Sequence, residues 1–365
     1  MGSGPREEHA EGAEGRRPRR RGRGRLRLLL LLAVLGSLSV FAATVWLELP
    51  VSKPSPVVSV PEGIPGRQER LARLAFTFNG FDVSNTTIPK SEILPGGPPR
   101  DAIPSIDKPK FLPLSDATYL RDEDQILGFV ERGVARAYPL RILVWHEIVN
   151  DIVGGRPIAV TYCPLCGTCM VFDRRSEEGD LTFGVSGLLY NSDVLMYDRQ
   201  TESLWSQLKM EAVAGPQVGR KMRWLASEQM TWAAWKERYP ESEVLSTETG
   251  FQREYARSPY AGYESRESTY FPVPKHRDDL KNKEWVIGIV LGGLAKAYPI
   301  AELKKIASAP LADTLGGVSL RISYDAEAQR VEVTDTGSGE TVPSVRVFWF
   351  AWQAFYPQTE LYAHE

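Results

Sequence analysis

The stretch VTYCPLCGTCMVFD, Val160 to Asp173, holds Cys163, Cys166 and Cys169, and the 365-residue chain has no other cysteine. Cys163-Pro164-Leu165-Cys166-Gly167 has the form of a metal knuckle. Proline bends the turn, and glycine supplies the positive φ after the second thiol. A structural metal site takes four ligands, and no second CxxC pair exists here. The nearest further donors are Cys169 and His146. Of the other histidines, His9 lies in a basic leader, His276 in a charged connector and His364 at the chain end. The expected centre is therefore Cys163, Cys166 and His146, with Cys169 as an additional thiolate. Soft sulfur with imidazole suits zinc or copper. His146-Glu147-Ile148-Val149-Asn150 opens like the HExxH of metalloproteases, but asparagine stands where the second histidine belongs.

Two other chemistries use the same sulfurs. Outside the cytoplasm a CxxC pair serves as a redox dithiol, and an odd thiol count leaves one cysteine to resolve or pair. Redox dithiols favour a helix N-terminus, whereas this motif lies between the strand-like PIAVTY and MVFD. Alternatively, a disulfide stabilises a domain that binds an envelope protein. Further along, FGVSGLLYNSDVLMYDRQTESLWSQ crowds hydrogen-bonding side chains among β-type residues. Tyr190, Asn191, Asp193, Asp198, Arg199 and Trp205 are its candidates for lining a small-molecule cleft.

The elements that must position these groups come in two copies. ILGFVERGVARAYPLRIL, from Ile126, returns as VIGIVLGGLAKAYPIAEL, from Val286. Gly154-Gly155 and Gly316-Gly317 follow, and TWAAWKERYPESEVL resembles FWFAWQAFYPQTEL. Each copy reads as a hairpin, a short helix after Tyr-Pro, a double-glycine turn, strands and an aromatic helix. This predicts an α+β, β-rich fold built as an internally duplicated domain of two similar halves. The expected units are a first repeat over 114–263 and a second, degenerate repeat over 264–365. Where the first copy has His146 and the cysteines, the second has Ile306 and Asp325-Ala326-Glu327-Ala328, so the chemistry belongs to the first.

Ahead of the repeats, residues 1–27 form a basic leader with eight arginines from Arg16 to Arg27. Residues 28–49 are uncharged up to Leu47 and long enough for a transmembrane signal anchor, with a cleaved signal ending near Ala42 as the alternative. Arginines on the N-terminal side predict a single-pass membrane protein with its bulk on the extracytoplasmic side. Residues 50–113, rich in proline and glycine, read as a tether. Setting aside the nine arginines and four glutamates of residues 1–27 leaves 35 basic and 42 acidic side chains, a formal charge of −7. Nucleic acid is excluded as a partner on that balance. The remaining candidates are the membrane, an envelope protein and a small-molecule ligand.

Through WHEIVND, YCPLCGT and FGVSGLLYNSDVLMYDRQTESLWSQ the chain resembles a bacterial and archaeal family catalogued as domain of unknown function 3179. The resemblance covers roughly Ile103 to Tyr263 and brings no established activity. It implies that His146, Glu147, Asn150, Asp151, Cys163, Cys166, Gly167, Phe172, Asp173, Asn191, Asp193, Asp198, Arg199, Trp205 and Ser206 are family-type positions. Cys169 departs from the pattern, which makes a third thiolate optional.

Overall fold

Alternating apolar residues in Gln125–Glu131 and Val134–Pro139 fold into an antiparallel hairpin that pairs Ile126 with Pro139 and Glu131 with Val134. Only Arg132 and Gly133 remain for the turn, and both have positive φ, 49° and 80°. Such a turn carries the same right-handed twist as the strands it joins. The same construction recurs where Trp285–Leu291 meets Leu294–Pro299.

A computed structural model describes residues 77–177, 179–306 and 309–363. They are 42% strand and 12% helix, and the sheets are arranged as a five-bladed β-propeller. The first blade has the lateral order Glu228–Thr231, Gln125–Glu131, Val134–Pro139, Glu243–Leu245, Phe111–Pro113. The second runs Trp224–Leu225, Thr168–Asp173, Arg156–Cys163, Ile148–Val153. The third runs Glu211–Ala214, Leu204–Ser206, Asp193–Asp198, Phe183–Tyr190, Ile93–Pro95. The fourth is Val345–Phe348, Trp285–Leu291, Leu294–Pro299, Glu360–Leu361, and the fifth is Leu311–Leu315, Val318–Asp325, Arg330–Asp335.

This corrects the α+β expectation of two similar halves. Among the described residues the four α-helices are six or seven residues long, too short to form a layer of their own. The sequence echo relates blades, not halves. The first four strands of the first blade match the fourth blade in order, including a fourth strand that joins in parallel, Glu243 beside Arg136 and Lys296 beside Glu360, and Phe111–Pro113 is added to the first blade alone. The third blade stands outside the echo.

Matched packing explains which residues recur. A Cβ on Gly128 would lie 1.9 Å from the Trp235 ring, and one on Gly288 would lie 2.2 Å from Trp352. Each indole N–H then donates to a hydroxyl seven residues on, Ser242 at 2.8 Å and Thr359 at 2.9 Å. Tyr138 donates to Asp151 at 2.6 Å beside Arg136, and Tyr298 donates to Asp313 at 2.9 Å beside Lys296. The repeated Tyr-Pro thus anchors a carboxylate, buried in the first copy and half-buried in the second.

Part of the stretch expected to be a tether belongs to the sheets. Ile93–Pro95 pairs with Phe183–Tyr190, and Phe111–Pro113 pairs with Glu243–Leu245. Proline is tolerated there because edge strands leave N–H positions unpaired. The basic leader and the anchor expected over 28–49 lie outside the described residues. Among the described residues no helix is long and apolar enough to cross a membrane.

Candidate metal centre

The strand Arg156–Cys163 pairs with Thr168–Asp173 so that Cys163 faces Thr168, leaving Pro164 to Gly167 as the turn. Gly167 closes it, with φ of 70° and an N–H donating to Cys163 O at 2.8 Å. A Cβ there would meet the Trp285 ring at 2.3 Å. Cys166 O accepts from Phe348 N at 2.9 Å, which ties the turn to the fourth blade. Both thiols reach the backbone carbonyl of Ser192, from Cys163 at 3.8 Å and from Cys166 at 3.3 Å.

Ser192 belongs to the tip of the third blade. Tyr190 pairs with Asp193, so Asn191 and Ser192 form a two-residue hairpin turn with φ of 50° and 66°. Serine adopts such a conformation reluctantly, and strain of this kind gathers at functional positions. The turn delivers Asp193 to the thiols. Cys163 Sγ, Cys166 Sγ and a carboxylate oxygen of Asp193 all lie within 4.8 Å of one another. Cys163 is 1% exposed, and Cys166 and Asp193 are 0% exposed.

Electrostatics mark the group as incomplete in itself. Burial pushes the Asp193 carboxyl up to about 7, although the Leu208 amide donates to Oδ2 at 3.0 Å. Burial pushes Glu147 up to about 8, and the charge of Asp193 adds to it. Both thiols are raised, by burial first, with Asp193 adding to each. Asp193 Oδ1, Ser192 Oγ and the Tyr263 hydroxyl are buried without a hydrogen-bond partner. Each unmade bond of that kind costs about 1–3 kcal/mol. A cation among the sulfurs and the carboxylate relieves the charge and uses Asp193 Oδ1, so the donor set fits a metal ion.

His146 is not part of this group. It ends the helix Leu140–His146, and Glu147 follows in the left-handed conformation, φ 58°. Neighbouring side chains diverge across such an end: the charge of Glu147 bears on Cys163, while the imidazole turns to another wall. Its Nδ1 lies 2.7 Å from Pro104 O and its Nε2 2.7 Å from the Tyr255 hydroxyl, so both ring nitrogens are committed. Of the expected Cys/His set the structure brings Cys163 and Cys166 together, with Asp193 and not His146 beside them. Cys169 is also apart, because it points from its strand into a different core cluster, with Val160 and Val171. All three cysteines are free thiols.

The block expected to line a cleft divides. Asp193 stands beside the two thiols, and Asn191 belongs to the turn that delivers it. Asp198 accepts from Thr201 N at 2.6 Å and from Trp205 Nε1 at 2.8 Å, which makes it a turn anchor. Arg199 donates to Asp107 at 2.9 Å and to Ser105 at 2.9 Å. Tyr190 packs edge-on against Phe355 at 5.3 Å. Trp205 borders a cavity of about 260 Å³ lined also by Asp173, Arg175 and Arg223. The residues that sequence reasoning passed over are Ser192, whose carbonyl meets both thiols, and Tyr263, which packs in the same core cluster as Cys163 and Cys166. The first had a signal: a two-residue hairpin turn without glycine.

No curated protein and no solved structure matches the chain. Cys163, Cys166 and Asp193 all fall within residues 100–339, which match the family model described as Protein of unknown function (DUF3179), and the chain belongs to that family.

Proposed function

We propose that this protein is a metalloprotein whose Cys163, Cys166 and Asp193 hold one zinc ion. One observation carries the reading: two sulfurs and a carboxylate oxygen from two different blades converge within 4.8 Å in a buried site. Donors sharing a tetrahedral zinc lie roughly 3.5–4 Å apart, given bonds of about 2.3 Å to sulfur and 2.0–2.2 Å to oxygen. The adjustment from 4.8 Å is at most about 1.3 Å. Zinc accepts both thiolate and carboxylate, whereas copper(I) favours sulfur alone.

A redox dithiol is less well supported. Reactive thiols have depressed pKa values and some exposure, and here burial raises both. X-ray absorption at the zinc edge of the full-length protein tests the metal reading. Two sulfur neighbours near 2.3 Å and two oxygen or nitrogen neighbours near 2.0 Å are expected. A shell with no sulfur, or with two or more imidazoles, overturns it.

A further inference from the structure

The metal reading leaves one coordination position, and what surrounds it indicates its occupant. Structural zinc sites are closed by four protein ligands, whereas open sites keep three and admit a small molecule. Among the described residues, only Cys163, Cys166 and Asp193 place donor atoms together. His146 has both nitrogens bonded elsewhere, and Cys169 lies in another core cluster. Glu147 bears on Asp193 and Cys163 but stands outside the converging set.

Two hydroxyls are present with nothing to bind. Ser192 Oγ and the Tyr263 hydroxyl are both buried without a partner, and each residue is 1% exposed. Ser192 receives both thiols on its carbonyl, so its position is fixed against them. Tyr263 packs in the same core cluster as Cys163 and Cys166. Tyr263 is held there by Tyr270, at 4.4 Å between ring centroids, and by Lys283, whose ammonium lies 3.3 Å from the ring centroid. Buried hydroxyls without partners are rare and call for a bound molecule.

Resting on the zinc reading, we infer that the centre is open. Its fourth position takes a small oxygen-donor ligand, water at rest and a carboxylate or hydroxamate group when one is supplied, with Ser192 and Tyr263 hydrogen-bonding it. Glu147 walls the site without ligating the ion.

The test uses full-length protein loaded with cobalt(II), whose visible spectrum reports ligand exchange, and acetohydroxamate as the probe. A saturable spectral change at full cobalt occupancy is expected. Tyr263→Phe keeps the ring packing and should weaken the probe about 10-fold with occupancy unchanged, as should Ser192→Ala. Glu147→Gln should leave occupancy unchanged. A fully loaded protein whose spectrum ignores acetohydroxamate overturns the open centre while leaving the metal reading intact, as does loss of cobalt from Glu147→Gln. Failure to take up cobalt at all overturns both readings.

Discussion

Glu147 and Asp193 are both buried, 6% and 0% exposed, and the charge of Asp193 adds to burial in pushing Glu147 up to about 8. Asp193 itself rises to about 7. Both folded values exceed the ordinary 4.5 and 3.8. The stability they contribute is therefore full below those ordinary values and is lost as pH rises through the folded ones. Metal-free protein should melt at progressively lower temperature from roughly pH 5 to pH 8.5. Zinc should flatten the profile, because a cation favours the ionised carboxylates. Calorimetry with and without chelator reads both curves, and a metal-free Tm that rises over this range would contradict the assignment.

His146 is a structural histidine in this account. His146→Phe removes bonds to Pro104 O and the Tyr255 hydroxyl inside a core, so a loss of about 1–3 kcal/mol is expected in urea unfolding. Zinc content should be unchanged. Loss of zinc without loss of stability would return the imidazole to the centre.

The tight glycine–tryptophan contacts predict matching damage in two blades. Gly128→Ala and Gly288→Ala each drive a methyl into an indole, an overpacking that costs about 1–3 kcal/mol or more. Equal or greater stability of either variant would show that the indole can move aside.

Cys169→Ala exchanges one small buried group for another in a cluster separate from the site. It should keep full zinc and lose about 1–2 kcal/mol at most from the lost sulfur packing. A zinc-free Cys169→Ala would establish it as a ligand.

How much of this was legible in the sequence follows from the reach of each signal. Alternation marked the hairpins from Ile126 and Val286, because a strand with one buried face repeats every two residues. The echo carried the Tyr-Pro and Gly-Trp packing with it. It did not carry the number of blades. The third blade has no second copy, and its partners are distant in the chain, as with Ile93–Pro95 beside Phe183–Tyr190. Short helices inflated the α character.

At the site, the CxxC turn announced two donors by type and spacing. The third is a carboxylate 27 positions beyond Cys166, brought in by a hairpin tip of another blade. Aspartate is too common for composition to single out. Histidine is rare, so it drew the assignment, although the helix end before Glu147 turns the imidazole away. Asp193 itself stood among the expected ligand-binding residues, but for a cleft.

The most direct test is elemental analysis of full-length protein purified under reducing conditions without chelator. About one zinc per chain is expected for the wild type, with near-complete loss in Cys166→Ser and Asp193→Asn and retention in His146→Gln. Zinc retained in Asp193→Asn but lost in His146→Gln, or a wild-type protein that stays metal-free after incubation with zinc, would contradict the centre described above.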